Sequence, residues 1–131
     1  MKPKVSIITV CFNSAKTIRD TIESVLSQDY PDIEYIIIDG GSSDDTVAIV
    51  EEYADRIAAI VSERDRGIYD AMNKGVALAS GDIVGMLNSD DIYINEHAVS
   101  ELMKAMQDAR ADSVFADLVI VDPIDLGKVL R

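Results

Sequence analysis

The chain has one cysteine, one histidine and three prolines in 131 residues, and its 12 lysines and arginines face 24 aspartates and glutamates. Each scarcity removes a class of explanation. A lone Cys11 cannot close an internal disulfide, and its place in an apolar run predicts a buried, inert thiol and a reducing, cytoplasmic setting. A net charge of −12 excludes an electrostatic grip on nucleic acid or on an anionic membrane, because both partners are themselves negative. No apolar stretch approaches the roughly twenty residues that span a bilayer, so no transmembrane segment is expected in this chain. Lys2 and Lys4 precede an apolar run, but the stretch from Val5 to Phe12 is short and contains Ser6 and Thr9. It leads into Asn13 without a small-residue cleavage pattern, and so reads as a first strand and not as a signal peptide. His97 has no clustered partner in the sequence and reads as a surface residue.

What is present is a hydrophobic fraction of 48%, enough for one packed domain over residues 1–131, with no repeat, low-complexity tract or linker. Val5 to Val10 is short and rich in β-branched residues, as suits a strand buried on both faces. Asn13 or Ser14 can cap a helix carrying Ile18, Ile22, Val25 and Leu26, closed by Tyr30-Pro31. Ile33 to Ile38 is a second strand ending at Asp39. Val47, Val50, Tyr53 and Ala54 predict a second helix with Ser43 or Asp44 near its N-cap, and Ile57 to Val61 a third strand. Ile68, Met72, Val76 and Ala79 share a helical face that Gly81 can end as a left-handed cap. Ile83 to Leu87 is a fourth strand. Asn95 starts a helix bearing Val99, Leu102, Met103 and Met106, before a strand from about Ser113 to Val121. Strands and helices alternating at these lengths predict an α/β fold, a mostly parallel sheet flanked by helices.

Two acid-bearing loops close apolar strands about fifty residues apart: Asp39-Gly40-Gly41-Ser42-Ser43-Asp44-Asp45-Thr46 and Leu87-Asn88-Ser89-Asp90-Asp91. Ligands of open α/β sheets bind beyond the carboxyl ends of the strands, so both loops are expected to face one site. The first is no phosphate cradle of the P-loop kind. It lacks GxGxxG, and where a P-loop supplies lysine it supplies Asp44 and Asp45, which repel phosphate and suit a helix N-terminus. A turn with an N-cap accounts for Asp44 and Asp45, whereas Asp39 is suited to accept from N–H or O–H groups of a base or ribose. The second loop reads either as a Ser-Asp-Asp turn that starts a helix or as an Asp-x-Asp-like holder of magnesium or manganese against a diphosphate. Between them, Arg64, Arg66 and Lys74 are either solvated charges or neutralisers of phosphate.

In order and spacing these segments resemble the N-terminal nucleotide-sugar-binding half of family 2 glycosyltransferases, inverting enzymes with the Rossmann-like GT-A fold. The resemblance runs from Val5-Ser6-Ile7-Ile8-Thr9-Val10 with Asn13, through Ser24-Val25-Leu26-Ser27-Gln28 with Tyr30-Pro31, and from Glu34 to Thr46. It continues through Asp65-x-Gly67-Ile68-Tyr69-Asp70-Ala71-Met72-Asn73-Lys74-Gly75 and Ala79-x-Gly81-Asp82 to Leu87-Asn88-Ser89-Asp90-Asp91.

The resemblance implies that Thr9 and Asn13 belong to the loop near base and ribose, that Asp39 contacts the base, and that Arg64, Asp65, Asn88 and Ser89 complete the nucleotide site. Asp90 matches the metal-binding aspartate. Asn88 departs from the first acid of the signature, so affinity for Mn2+ or Mg2+ must lean on Asp90, helped by Asp91. The donor is a nucleoside-diphosphate sugar, UDP-linked by preference with GDP and dTDP as alternatives, and the acceptor a glycan or lipid-linked glycan, as in polysaccharide biosynthesis. No residue matches the family's catalytic base, which comes from a later segment; Asp117 and Asp122 are unsupported for that role.

The chain is therefore expected to be a donor-binding piece of a longer protein, truncated before the acceptor half. By itself it is expected to be inactive and inclined to self-associate, the full protein working in the cytoplasm or at the inner face of the membrane. Rival readings are a nucleotide-binding module without turnover, a sugar nucleotidyltransferase, and a response-regulator-like switch. A nucleotidyltransferase needs a glycine-rich basic loop after the first strand and a switch needs an acid pair there; Val10-Cys11-Phe12-Asn13 has neither.

Overall fold

The computed structural model describes residues 2–110, 120–121 and 129–130. They fall into two compact units, Met1–Val99 and Ser100–Arg131. The first unit holds four strands, β1 (Val5–Cys11), β2 (Ile33–Asp39), β3 (Ala59–Ser62) and β4 (Ile83–Met86), and three helices, α1 (Ile18–Leu26), α2 (Thr46–Glu51) and α3 (Ile68–Leu78). A fourth helix, α4 (Ala98–Ala109), begins at its end. The second unit carries the rest of α4 and an antiparallel pair, β5 (Ile120–Val121) and β6 (Val129–Leu130), in which Ile120 opposes Leu130.

All four strands of the first unit are parallel, in the order β3-β2-β1-β4. Every residue of β1 is buried, as a central strand covered on both faces requires. Successive side chains point to opposite faces. On one face, Ile8, Val10, Ile36 and Ile38 form a core cluster with Ala71 of α3. On the other side of the strand stands Thr9, whose hydroxyl lies 2.8 Å from the Tyr35 hydroxyl, so two buried polar groups satisfy each other. Ile18, Ile22 and Val25 give α1 its buried stripe at helical spacing.

The expected α/β fold with a parallel sheet is present, with three local differences. The second helix stops at Glu51, because the N–H groups of Glu52 and Tyr53 turn to the carbonyls three residues back, and a 3-10 turn, Ala54–Arg56, follows. Its N-cap is Asp45, and α1 is preceded by Thr17. Gly81 is not a left-handed cap: α3 leaves through extended Ala79. Its small size serves close packing, since a Cβ at position 81 would lie 2.6 Å from the Ser6 Oγ. Among the described residues no helix is long and apolar enough to cross a membrane. The expected strand from Ser113 falls outside the described residues except for Ile120 and Val121.

Candidate functional site

The chain runs from β1 outward to β2 and β3 on one side, then crosses to place β4 on the other side of β1. The point where that order reverses opens a crevice beyond the carboxyl ends of β1 and β4. A cleft of about 990 Å³ lies there, walled by Cys11, Asn13, Ser14, Lys16, Gly40, Asp44, Arg64, Asp65, Asn88, Ser89 and Asp90, with Val10, Phe12, Ile68 and Ala71 among its apolar members.

Side-chain hydrogen bonds tie three loops together around this cleft. Asn13 adopts φ +47°, a left-handed conformation that asparagine tolerates. Its amide oxygen accepts the backbone N–H of Ser43 at 2.8 Å, and its own backbone N–H donates to Ser42 Oγ at 2.8 Å. The Ser14 backbone N–H donates to Thr46 Oγ1 at 2.7 Å, and the Ser14 and Ser89 hydroxyls lie 2.9 Å apart. The loop after β1 is thus joined to those after β2 and β4.

Asp39 sits beneath this junction and is 1% exposed. Its carboxylate accepts from the backbone N–H groups of Gly41 and Ser42, at 3.1 and 2.9 Å, and from the hydroxyls of Ser42 and Ser62, at 2.5 and 2.9 Å. Burial alone would raise its pKa, but these bonds, with that of the Cys11 thiol, outweigh it and hold the acid below its ordinary value. Asp39 therefore binds the loop of β2 to the end of β3. Asp44 is held down by the Thr46 hydroxyl, then by the backbone N–H groups of Thr46 and Ala15. Asp91 is shifted the other way, raised by burial and by the neighbouring Asp90. The Cys11 thiol is pushed up by burial and then by Asp39, so the expected inert cysteine is what the structure holds.

The fold brings Asn13, Arg64, Asp65, Asn88, Ser89 and Asp90 to one cleft. Asp91 stands next to Asp90, half-buried and not among the lining residues, and Asp39 lies under the loop. Thr9 is a correction: it is fully buried in mid-strand and bonded to Tyr35, not in the loop after β1. Of the three bases in the middle stretch, Arg64 lines the cleft, while Lys74 pairs with Glu63 at 3.2 Å and Asp70 at 3.7 Å. His97 is exposed as expected but does have a partner, the Asp29 carboxylate 2.5 Å from its Nδ1. Asp117 and Asp122 lie outside the described residues. The sequence reading missed Lys16, which lines the cleft from the loop after β1; its signal was a base three residues beyond Asn13.

The family model described as Glycosyl transferase family 2 matches residues 6–128. The chain belongs to this family. An uncharacterised glycosyltransferase of Mycobacterium tuberculosis is 43% identical to it over 105 residues, 79% of this chain and 40% of the relative. Among solved structures, the family 2 chain superposes on the mannosyltransferase PcManGT from Pyrobaculum calidifontis, in complex with GDP-Man and Mn2+, with a TM-score of 0.78. The two share 25% identity over 97% of this chain and 38% of that one. TarS 1–349 of S. aureus in complex with UDP-GlcNAc gives a TM-score of 0.73 at 29% identity, over 82% of this chain and 32% of that one. The family 2 chain thus spans about two-fifths of the length of the curated relative and about a third of these structures. Its fold is that of the GT-A glycosyltransferases.

Proposed function

We propose that this family 2 chain is the donor-binding domain of a longer, cytoplasmic glycosyltransferase, holding a nucleoside-diphosphate sugar, UDP-linked by preference, in the cleft between β1 and β4. The observation that carries the reading is the convergence of Asn13, Arg64, Asp65, Asn88, Ser89 and Asp90 on one crevice at the reversal of strand order. Support comes also from the nucleotide sugars bound by the similar TarS and PcManGT.

The residues fit a divalent cation of one kind. Among the described residues no three His, Cys, Asp or Glu side chains gather into a ready metal cage, which argues against a site closed by protein alone. Asp90 is exposed at the cleft and, among the described residues, has no side-chain hydrogen bond or ion pair. One or two carboxylates that leave the remaining positions to water and phosphate oxygens are what magnesium and manganese accept. Asp90 would hold the ion, with Asp91 beside it, and the ion when bound offsets charge on the diphosphate.

The remaining steps belong to the chain's own groups. Lys16 and Arg64 are the basic residues lining the cleft, and they balance the acid there and draw the diphosphate in. Asn88 can accept from a ribose hydroxyl. Transfer to a glycan or lipid-linked acceptor is an in-line displacement with inversion: the acceptor oxygen bonds to the anomeric carbon as the bond to the diphosphate oxygen breaks. The acceptor proton passes to a carboxylate, which the family resemblance assigns to a segment later than the cleft residues.

Calorimetric titration with UDP-, GDP- and dTDP-sugars, in manganese and then in chelator, tests the reading. Binding of one carrier class that strengthens with manganese is the expected result. No binding of any of them rejects the donor site, and equal binding in chelator rejects the metal.

A further inference from the structure

The acid-bearing loop after β4 has no regular structure of its own, yet Asp90 must be aimed if it is to hold a cation. The support comes from α1. Thr21, fully buried on that helix, points its hydroxyl at two backbone carbonyls of the loop, Ser89 at 2.9 Å and Asp91 at 2.6 Å. These flank Asp90 on both sides. The carbonyl of Thr17, one turn back on the helix and the usual partner of such a hydroxyl, is 3.4 Å away. The hydroxyl has one proton, shared across the loop in a three-centre bond. One turn further on, Ser24 Oγ accepts the backbone N–H of Tyr93 at 3.2 Å, and the loop closes on itself where the Asp91 N–H donates to the Asn88 carbonyl.

We propose that Thr21 is a positioning residue for the cation site: by gripping the carbonyls on either side of Asp90 it fixes the direction in which that carboxylate faces the cleft. This rests on the donor-and-metal reading above. A hydroxyl at this place is not required for packing, since valine has nearly the same shape. Carbonyls left without their donor in a buried place carry a cost, so a Thr21→Val loop rearranges to reach other partners. Thr21 is a group behind the metal ligand, of the kind whose loss weakens metal affinity while leaving the ligand itself in place.

The test has two readouts. In the metal-free protein, hydrogen exchange at the Asp91 and Tyr93 amides reports the loop directly; Thr21→Val is expected to speed both, and Thr21→Ser to restore them. In calorimetry with a UDP-sugar, or whichever carrier binds the wild type, Thr21→Val is expected to lower the manganese-dependent gain in affinity by roughly tenfold or more. Affinity in chelator stays within about twofold, and Thr21→Ser recovers the gain. A Thr21→Val protein with wild-type exchange and an undiminished manganese gain overturns the role of Thr21 alone. A wild type whose affinity ignores manganese overturns the metal reading first. Failure of both Thr21→Val and Thr21→Ala to fold also overturns the proposal, because the hydroxyl would then hold the fold and not the loop.

Discussion

Gly75 of α3 lies so close to Ile8 of β1 that a Cβ at position 75 would fall 2.5 Å from the Ile8 Cγ2. Ile8 is 1% exposed and is flanked in the sheet by Ile36 and Met86, so it has little room to retreat. The contact sets how near the helix can approach the strand that carries the cleft at its end.

Gly75→Ala is accordingly expected to destabilise the chain although alanine is the better helix former. The helix gains about 1 kcal/mol of propensity, and overpacking against a closed core costs about 1–3 kcal/mol. A net loss of about 1 kcal/mol in urea unfolding is the expected outcome; a variant as stable as wild type would mean that Ile8 can move.

Glu34 predicts an acid limb to the stability. The backbone N–H of Ser80, then its hydroxyl, then the Ser6 hydroxyl and the charge of the Lys4 ammonium outweigh partial burial and hold this carboxyl at about 2. A carboxyl depressed by folding binds fewer protons in the native than in the unfolded state, so its contribution is full above the unfolded value and is lost as pH falls through the window from about 4.5 to about 2. Glu34→Gln should be less stable at neutral pH and should lose less on acidification across that window. Parallel denaturation curves at pH 6 and pH 3 check both.

Asp90→Asn and Asp39→Ala should fail differently. Asp90 stands exposed at the cleft, so its amide variant keeps the fold and loses the manganese-dependent part of nucleotide affinity. Asp39 holds four donors of its own loop and β3, and Asp39→Ala should lose stability, by about 2–4 kcal/mol, along with affinity for the free nucleoside. Thermal melts read beside the calorimetry separate the two patterns.

Cys11 should resist alkylation in the native state. Burial, then Asp39, keeps its thiol protonated, and the thiolate is the reactive form. Iodoacetamide labelling at pH 8, followed by mass spectrometry, is expected to be slower by at least about a hundredfold in the folded chain than in urea. Prompt native labelling would contradict the burial described for the end of β1.

Most of the fold was legible because its strands are buried on both faces. Val5-Ser6-Ile7-Ile8 and Ile36-Ile37-Ile38 are too apolar and too short to be anything but central strands. The same property hid the fate of Thr9, since a strand without an exposed face gives no alternation to tell an inward hydroxyl from one at its mouth. The two acid loops announced themselves by charge at strand ends. Their junction did not, because it is made by Asn13, Ser14 and Ser42, residues whose types suit any turn. Thr21 was invisible for a related reason: one hydroxyl within a helix gives no sign of where it points. Gly81 was misread because glycine serves both left-handed turns and close contacts, and only the neighbour Ser6 decides between them.

The central place of β1 also shapes how the chain acquires its structure. Val5 pairs with Ile33 on one side and with Ile83 on the other, so during synthesis β1 emerges well before β4, its partner on the second side. Until Met86 has emerged, one long edge of an apolar strand lies open to wrong partners. The slow step of folding is expected to be the docking of β4 on β1. In a refolding experiment, that same step assembles the cleft, so nucleotide binding appears with the final phase and not before it.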